Sequence, residues 1–261
     1  MSTALIFFFI LILVPRLANL VMDDTSKKRI LWISISHAVL VILVFKFNAS
    51  VIAALATITV CAMSGVFLKH KITYSKGYQL LSLISLMLIP TYISSYYPLE
   101  FTNSFVAVAS HLSEHIAALP DSSTSLRFKL LVLTGLLILA NETNIGIRAV
   151  ISHLKLEPAI KSDSKSDSPT NTPAEDSTKT STTDQKEYNA GRVIGILERW
   201  LMFLIVVFTN DIGALAFIIA AKGLARIKQL EDKDFAEYMI IGTLLSTLSA
   251  ILVAFWVKSF I

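Results

Sequence analysis

Apolar residues in this chain occur in long runs of about 17 to 22 residues, separated by shorter polar stretches. An α-helix rises about 1.5 Å per residue, so about 20 apolar residues cross the roughly 30 Å hydrocarbon core of a bilayer. The pattern therefore predicts an all-α, polytopic transmembrane helical bundle of about eight spans. The candidate spans are Ala4 to Met22, Ile30 to Phe47, Val51 to Leu68, Tyr78 to Tyr96, Phe128 to Val150, Val193 to Phe208, Ile212 to Ile227 and Tyr238 to Val257.

Composition supports a membrane protein over a water-soluble one. Hydrophobic residues make up 54% of the chain and charged residues only 16%, against roughly 25% charged in soluble domains. The first apolar run has no Lys or Arg ahead of it and no small-x-small cleavage site, so we interpret it as a retained span rather than a secretory signal. The single Cys61 excludes an intramolecular disulfide and a thiolate metal cluster.

The distribution of positive charge predicts the topology. Most of the 23 Lys and Arg residues fall in loops on one side of the predicted spans. The positive-inside rule places these loops in the cytoplasm and both termini outside. We expect the membrane to be the cytoplasmic (inner) membrane of a bacterium. Because the positive charges are concentrated in the loops on one side, we interpret the net charge of +4 as a determinant of membrane topology and not as a surface that binds nucleic acid.

A polar segment divides the chain into three predicted parts. Between Lys161 and Glu187, Ser, Thr, Asp, Lys and Pro dominate and no aromatic residue occurs, which is typical of a disordered linker. We predict a five-span bundle over residues 1–155, a cytoplasmic linker over 156–189 and a three-span hairpin plus helix over 190–261. Only Thr209, Asn210 and Asp211 separate the sixth and seventh spans, which predicts an antiparallel helical hairpin.

The loop between the fourth and fifth spans has helical periodicity of its own. Its apolar residues recur every three or four positions, and Pro98 and Pro120 bracket them. This predicts an amphipathic helix on the outer surface of the bundle. The apolar positions are Phe101, Phe105, Val108, Leu112, Ile116 and Leu119.

The same helix contains His111, Glu114 and His115, which spell the inverted zinc-protease motif His-x-x-Glu-His. A zinc site also needs a third protein ligand, and Glu142 would lie roughly 20 Å along the fifth span. We therefore interpret the motif as a polar helix face, and we predict no metal and no cofactor.

Charged residues inside the predicted spans are the main candidates for function. Glu198 and Arg199 lie about 10 Å into the sixth span, where an unpaired charge costs about 2.5 to 3.5 kcal/mol. Adjacent helical residues point about 100° apart, so at least one of them needs a partner on another helix. We predict a polar cluster in the inner half of the bundle, and it is either a substrate or ion site or structural glue. Its members are Glu142, Arg192, Glu198, Arg199, Lys222, Arg226 and Glu237.

Depth along the hairpin predicts one specific pair. Glu198 and Lys222 both lie about 17 to 18 Å from the Asn210–Asp211 turn at 1.5 Å per residue. Antiparallel packing brings them to the same level, and we predict that they form an ion pair.

Small residues are spaced along one face of the seventh span, at Gly213, Ala216, Ala220 and Gly223. A shorter stripe, Gly242 with Ser246, lies on the eighth span. Both are typical of close helix packing in lipid.

The carboxy-terminal third of the chain resembles a family of bacterial membrane proteins catalogued as domain of unknown function 3307. The resemblance is carried by the segment Gly191 to Arg199, by Ala221 and Lys222 with Arg226, and by Glu237 and Tyr238 followed by Ile241 to Ser246. The segment Gly135 to Arg148 is similar to the preceding span of that family. The resemblance implies a multi-span membrane protein and carries no established activity.

The amino-terminal part departs from the polar motifs of that family. The family has His, Asp and Gln in its first span and an Asp-Gln-x-x-His motif further on. The matching positions here are Pro15, Asn19, Leu20 and Asp23, then Tyr78, Gln79 and Ser82, and His37 corresponds to a family histidine. Most of the groups that would bind metal or move protons are therefore missing.

These features predict a non-enzymatic integral membrane scaffold or accessory component. Its partners are the lipid bilayer and either other membrane proteins or further copies of the chain, and nucleic acid is not among them. The alternative is a small-solute or ion transporter that uses the inner polar cluster. A membrane-embedded hydrolase ranks third, because the first spans lack the His and Asp residues of the family motif.

Overall fold

The structure of the protein is a computed structural model that describes residues 2–17, 27–67, 76–108, 123–153, 178–209, 211–225, 227 and 233–260. Within these ranges the backbone is helical apart from short connections and one isolated antiparallel bridge between Phe45 and Phe101. The predicted all-α fold class is confirmed.

A helix lies within every predicted span. The helices are α1 (Thr3–Arg16), α2 (Lys27–Val44), α3 (Ala49–Phe67), α4 (Lys76–Ser94), α5 (Ser123–Leu137), α6 (Thr143–His153), α7 (Thr178–Phe208), α8 (Ile212–Ala225) and α9 (Lys233–Lys258). A π-helical turn, Ile138–Glu142, joins α5 to α6 without a break.

Within the described residues, three helical segments are long and apolar enough to cross a membrane: Gly77–Ser94, Leu126–His153 and Ala236–Lys258. Four shorter apolar helices cover Thr3–Arg16, Leu31–Val44, Ala49–Ser64 and Gly213–Leu224. The helices thus support a membrane location through three of the predicted spans, and the full set of about eight stays a prediction.

The helices carry apolar stripes on their exposed faces. On α2 the stripe consists of Leu31, Ile35, Val39 and Ile42, and on α9 of Ile240, Leu244, Leu248 and Leu252. Their spacing of three or four residues puts each set on one side of its helix. Apolar faces of this length suit a lipid solvent, because soluble monomers rarely expose large contiguous apolar patches.

The chain divides into two compact units. The first comprises Met1–Ala149 with Leu252–Ile261, and the second comprises Val150–Ile251. The sequence instead placed residues 190–261 in one part. The difference at the carboxy terminus arises because the side chain of Trp256 packs against the core of the first unit.

The core of the first unit is built from α1 to α4 and the segment that follows α4. Phe8 and Ile12 of α1, Val41 of α2 and Val51 of α3 are fully buried in it. Phe45 and Phe101 stack with ring centroids 5.5 Å apart beside the bridge that joins their backbones. These contacts hold the residues after α4 against the α2–α3 connection.

The linker differs in part from its prediction. Helix α7 begins at Thr178, so the last part of the predicted linker, residues 178–189, is helical rather than irregular. Thr, Ser, Asp and Asn, which are weaker helix formers than Lys, Gln or Glu, make up most of this stretch, but it continues directly into an apolar helix. The rest of the predicted linker, residues 156–177, lies outside the described residues.

The predicted outer helix is described only at its beginning. Residues 103–108 are helical, which agrees with the predicted periodicity. His111, Glu114 and His115 lie outside the described residues, so the interpretation of the His-x-x-Glu-His motif stays a prediction.

Candidate functional site

In the second unit, α7 and α8 carry an ion pair at matching depth. Lys222 Nζ donates a hydrogen bond to Glu198 Oε2, and each side chain is 21% exposed. The pairing predicted from the helical rise is confirmed. Each charge now has the partner that a charge in an apolar helical environment requires.

The turn between α7 and α8 fixes the register of this pair. Thr209 Oγ1 accepts a hydrogen bond from the Asp211 backbone N–H at 3.1 Å. Asp211 Oδ1 in turn accepts one from the backbone N–H of Ala214 at 3.2 Å and so caps the start of α8. A short capped turn lets helix geometry alone determine which residues of α7 and α8 meet.

Helix α9 completes a small cavity beside the pair, with room for about one water molecule. Its accessible wall is apolar, although residues with charged and hydroxyl groups border it. The lining residues are Glu198, Met202, Ile218, Ile219, Lys222, Thr243, Ser246 and Thr247.

The other members of the predicted polar cluster have different surroundings. Arg199 is buried and Arg192 is half-buried, both on α7. Glu237 is largely exposed and lies 3.9 Å from Lys233, one turn away on the same helix. Arg226 lies outside the described residues. Glu142 belongs to the first unit, where it has a partner of its own.

That partner is Arg16, at the end of α1. Arg16 Nε donates to Glu142 Oε1 at 2.6 Å, and Arg16 Nη2 donates to Glu142 Oε2 at 3.1 Å. The side chains are 8% and 3% exposed, respectively. This is a bidentate, buried ion pair, the arrangement for which a planar guanidinium is best suited.

Further hydrogen bonds satisfy both charged groups. Arg16 Nη1 donates to Ser82 Oγ at 3.3 Å, and Nη2 also donates to the Gln79 carbonyl at 3.0 Å. Asn141 Nδ2 donates to Glu142 Oε1 at 3.0 Å. The pair therefore links α1, α4 and the π-helical turn through groups of the chain itself, as a buried ion pair needs in order to offset its desolvation.

Two adjacent polar residues of the π-helical turn lie in the interior. Asn141 and Glu142 follow one another, and both are buried. In an ordinary α-helix, consecutive side chains point about 100° apart. A π-helical turn is wider and changes the side-chain register, and such turns occur frequently at functional sites.

Two further features involve α1, namely the internal Pro15 and a hydrogen bond from His37 of α2. Pro15 lies inside α1 and has no N–H to offer the helix. Buried His37 of α2 has its Nε2 2.8 Å from the carbonyl oxygen of Ile12. Because a carbonyl oxygen only accepts hydrogen bonds, Nε2 is the protonated ring nitrogen, and His37 ties α2 to α1.

The polar cluster predicted from the sequence does not include Arg16, although Arg16 is a charge within the first predicted span. The usable signal was the charge itself, since an ionisable residue in an apolar span requires a partner. Glu142 is a member of the predicted cluster, but the other members all lie in the carboxy-terminal part of the chain.

No family model matches this chain, and no curated protein or solved structure is significantly similar to it. The resemblance to domain of unknown function 3307 therefore stays a prediction. The positions at which the sequence predicts a departure from that family nevertheless make polar contacts. Gln79 and Ser82 bind Arg16, and the Tyr78 hydroxyl donates to the Cys61 carbonyl at 2.6 Å.

The chemistry available at these sites is that of charge neutralisation and hydrogen bonding. Within the described residues, no group of three or more His, Cys, Asp and Glu side chains is arranged to hold a metal ion. The first unit has an almost completely buried ion pair, whereas the pair in the second unit borders a cavity.

Proposed function

We propose that the chain is an integral protein of the bacterial cytoplasmic membrane with about eight spans and both termini outside. We propose further that it acts as a non-enzymatic scaffold or accessory component for other membrane proteins or further copies of itself. The observation that carries this proposal is the buried Arg16–Glu142 pair, in which Arg16 also donates hydrogen bonds to Ser82 and to the Gln79 carbonyl.

An enclosed pair of this kind favours a structural role. A charge that binds a substrate or transfers a proton has to be reached by that substrate or by water. Arg16 and Glu142 instead hold three segments of the first unit together, and their side chains are nearly inaccessible. The exposed apolar stripes of α2 and α9 leave surface for lipid or for a partner helix.

A small-solute or ion transporter is the second candidate, and the cavity of the second unit favours it. Glu198 and Lys222 are each partly accessible beside that cavity, unlike the enclosed pair. Ionisable residues in membrane spans commonly mark ion or substrate pathways.

Reconstitution of the full chain into liposomes distinguishes the two functions. Proton flux would be followed with an enclosed pH dye, and sodium and potassium flux with their radioactive isotopes. A scaffold leaves all three fluxes at the level of protein-free liposomes. Flux above that level that is lost in Glu198→Gln, and retained in the control Glu237→Gln, would replace the scaffold proposal with transport.

A scaffold also predicts stable neighbours in the cell. Val39 and Ile42 lie on the exposed apolar stripe of α2 and are suitable positions for a photo-crosslinking residue. Crosslinking at these two positions should give discrete adducts of defined mass. Control crosslinks at buried Val41 should stay within the chain. Identical adduct patterns at exposed and buried positions would contradict a specific partner surface on α2.

A further inference from the structure

One end of the first unit carries a group of exposed aromatic side chains. Asn48 Nδ2 donates a hydrogen bond to the Pro98 carbonyl. Ser50 Oγ donates one to the Tyr97 carbonyl, so the α2–α3 connection and the end of α4 lie at one level. Exposed aromatic rings at the ends of apolar helices are typical of the boundary between hydrocarbon and lipid headgroups. We call this the outer level, and its aromatic residues are Phe47, Tyr92, Tyr96 and Tyr97.

Exposed Trp32 marks the opposite end of α2. His37 Nε2 of α2 lies 2.8 Å from the Ile12 carbonyl oxygen of α1, and a ring contact nearer the outer level shows that the two helices are antiparallel. Trp32 and Arg16 both lie about 6 to 8 Å further from the outer level than this contact. A surface tryptophan and the buried ion pair therefore share one level, which we call the inner level.

Helices α3 and α4 reach the inner level as well. Ser64 Oγ, near the end of α3, lies 2.8 Å from the hydroxyl oxygen of Tyr78, near the start of α4. Arg16 Nη1 donates a hydrogen bond to Ser82 Oγ of α4 at 3.3 Å. Polar contacts thus join α1, α3 and α4 at the inner level, as they join α2, α3 and α4 at the outer one.

The two levels are closer together than the two surfaces of an ordinary hydrocarbon core. Helix α1 has 14 residues and is about 21 Å long. On α3, about 24 Å separates Asn48 from Ser64. On α4, Tyr78 lies about 21 Å from Tyr92 and about 27 Å from Tyr96. These helices agree on a separation of about 24 Å, whereas a typical hydrocarbon core is about 30 Å thick.

The surface between the levels suits hydrocarbon, and the longest helix of the unit fits the same separation. No Asp, Glu, Lys or Arg lies between the two levels on α2, α3 or α4. The continuous helix of α5, the π-helical turn and α6 is longer, but its Glu142 lies at the inner level with Arg16. The residues beyond Glu142 include Asn144 and Arg148, which suit headgroups better than hydrocarbon.

We propose that the first unit spans a hydrocarbon layer of about 24 Å and binds phospholipids with short acyl chains in preference to those of ordinary length. A thicker bilayer has to thin around the unit, and each Å of mismatch has a modest free-energy cost. This inference rests on the proposed membrane location. It adds the class of lipid that surrounds the first unit.

Trp32 provides a native probe of the surrounding lipid. The full chain would be reconstituted with a brominated eighteen-carbon phosphatidylcholine, which quenches tryptophan fluorescence on contact. Unbrominated phosphatidylcholines with chains of fourteen to twenty-two carbons would then compete, and the recovery of fluorescence gives their relative affinities. Trp32→Phe is the matched control, because the signal that this variant loses comes from the lipid-facing side of α2.

We expect fourteen-carbon chains to displace the brominated lipid from Trp32 about two-fold or more better than eighteen-carbon chains. Equal affinity at all lengths, or the highest affinity at eighteen carbons or more, would overturn the preference and leave the membrane location intact. If brominated lipid does not quench Trp32 at all, the membrane location itself is contradicted.

Nitroxide labels test the two levels independently of lipid affinity. Trp32→Cys, Val39→Cys and Phe47→Cys would be labelled one at a time in a Cys61→Ala background. Accessibility to oxygen relative to a nickel chelate rises with depth in the hydrocarbon. The label at position 39 should be the deepest, and those at 32 and 47 should be shallow. A label at position 32 as deep as that at 39 would overturn the proposed thickness. If a label cannot be introduced without unfolding, the competition on the native chain still decides.

Discussion

At the scale of single residues, the two ion pairs show how differently a buried charge can be accommodated. Arg16 and Glu142 are joined by two hydrogen bonds and share further partners, so neither group faces solvent. Glu198 and Lys222 make a single hydrogen bond beside a cavity. The first arrangement depends on the planar geometry of arginine, whereas lysine acts as a point charge.

The enclosed pair predicts a large effect of single substitutions. Arg16→Ala or Glu142→Ala leaves one buried charge without its partner and should lower the free energy of unfolding by about 3 to 5 kcal/mol. Arg16→Lys should recover only part of this loss, because an ammonium cannot bind the carboxylate through two parallel N–H groups. Reversible unfolding in mixed detergent micelles measures the change.

The exposed Lys46–Glu100 pair of the same unit is a suitable control. Its atoms lie 3.2 Å apart, but the side chains are 48% and 60% exposed. Lys46→Ala should change stability by about 0 to 1 kcal/mol, as is usual for surface pairs. If Arg16→Ala lowers the free energy of unfolding by no more than Lys46→Ala does, the role assigned to the enclosed pair is contradicted.

At the scale of elements, the connection between α2 and α3 organises one end of the first unit. Lys46 donates its backbone N–H to the Glu100 carbonyl, and Thr102 donates its own to the Val44 carbonyl, both at 2.9 Å. Asn48 Oδ1 accepts from the Val51 backbone N–H at 3.1 Å, and Asn48 Nδ2 donates to the Pro98 carbonyl at 2.8 Å. Asn48 thus caps α3 and also holds the segment that follows α4.

Substitution of Asn48 separates these two roles. Asn48→Ala loses both and should lower the free energy of unfolding by about 1 to 2 kcal/mol, the upper range for loss of a helix cap. Asn48→Ser keeps a capping oxygen but has no amide to donate to the Pro98 carbonyl. It should therefore lower the free energy of unfolding by less than Asn48→Ala does. Unfolding in detergent compares the variants, and equal stability of Asn48→Ala and the native chain would contradict the capping role.

At the scale of the whole molecule, the proposed topology follows from the distribution of Lys and Arg among the loops. In the part of the chain that the structure describes, three helical segments meet the length and hydropathy needed for a membrane span. The remaining apolar helices are shorter, and α7 carries Glu198 and Arg199 within its predicted span. Pairing of Glu198 with Lys222 reduces the cost of placing α7 in the membrane.

Reporter fusions test this topology. Fusions at Asp121 should be active only with a reporter that functions outside the cytoplasm, and fusions at Lys165 only with a cytoplasmic reporter, because the segment between them contains one predicted span. A cytoplasmic signal from Asp121 would contradict the arrangement of about eight spans with both termini outside.

The sequence by itself determined the helical class, the placement of helices and the Glu198–Lys222 pair. These features depend on local geometry. Apolar runs determine where the helices lie, and the rise per residue on either side of a three-residue turn places Glu198 and Lys222 at the same distance from that turn. Local geometry could not predict that the candidate polar cluster is divided, with Glu142 in one unit and Glu198 and Lys222 in the other. Its residues share a type and an approximate depth, but depth alone does not say which helices are neighbours.

Only the tertiary structure decided the partner of Glu142. Arg16 and Glu142 are 126 residues apart in the chain, so no turn geometry relates them. The pair depends on the packing of α1 beside the π-helical turn, which is a local change of register that apolar periodicity does not reveal. The cavity beside Glu198 likewise needs side chains from three helices, and its lining follows from how α9 packs against the hairpin.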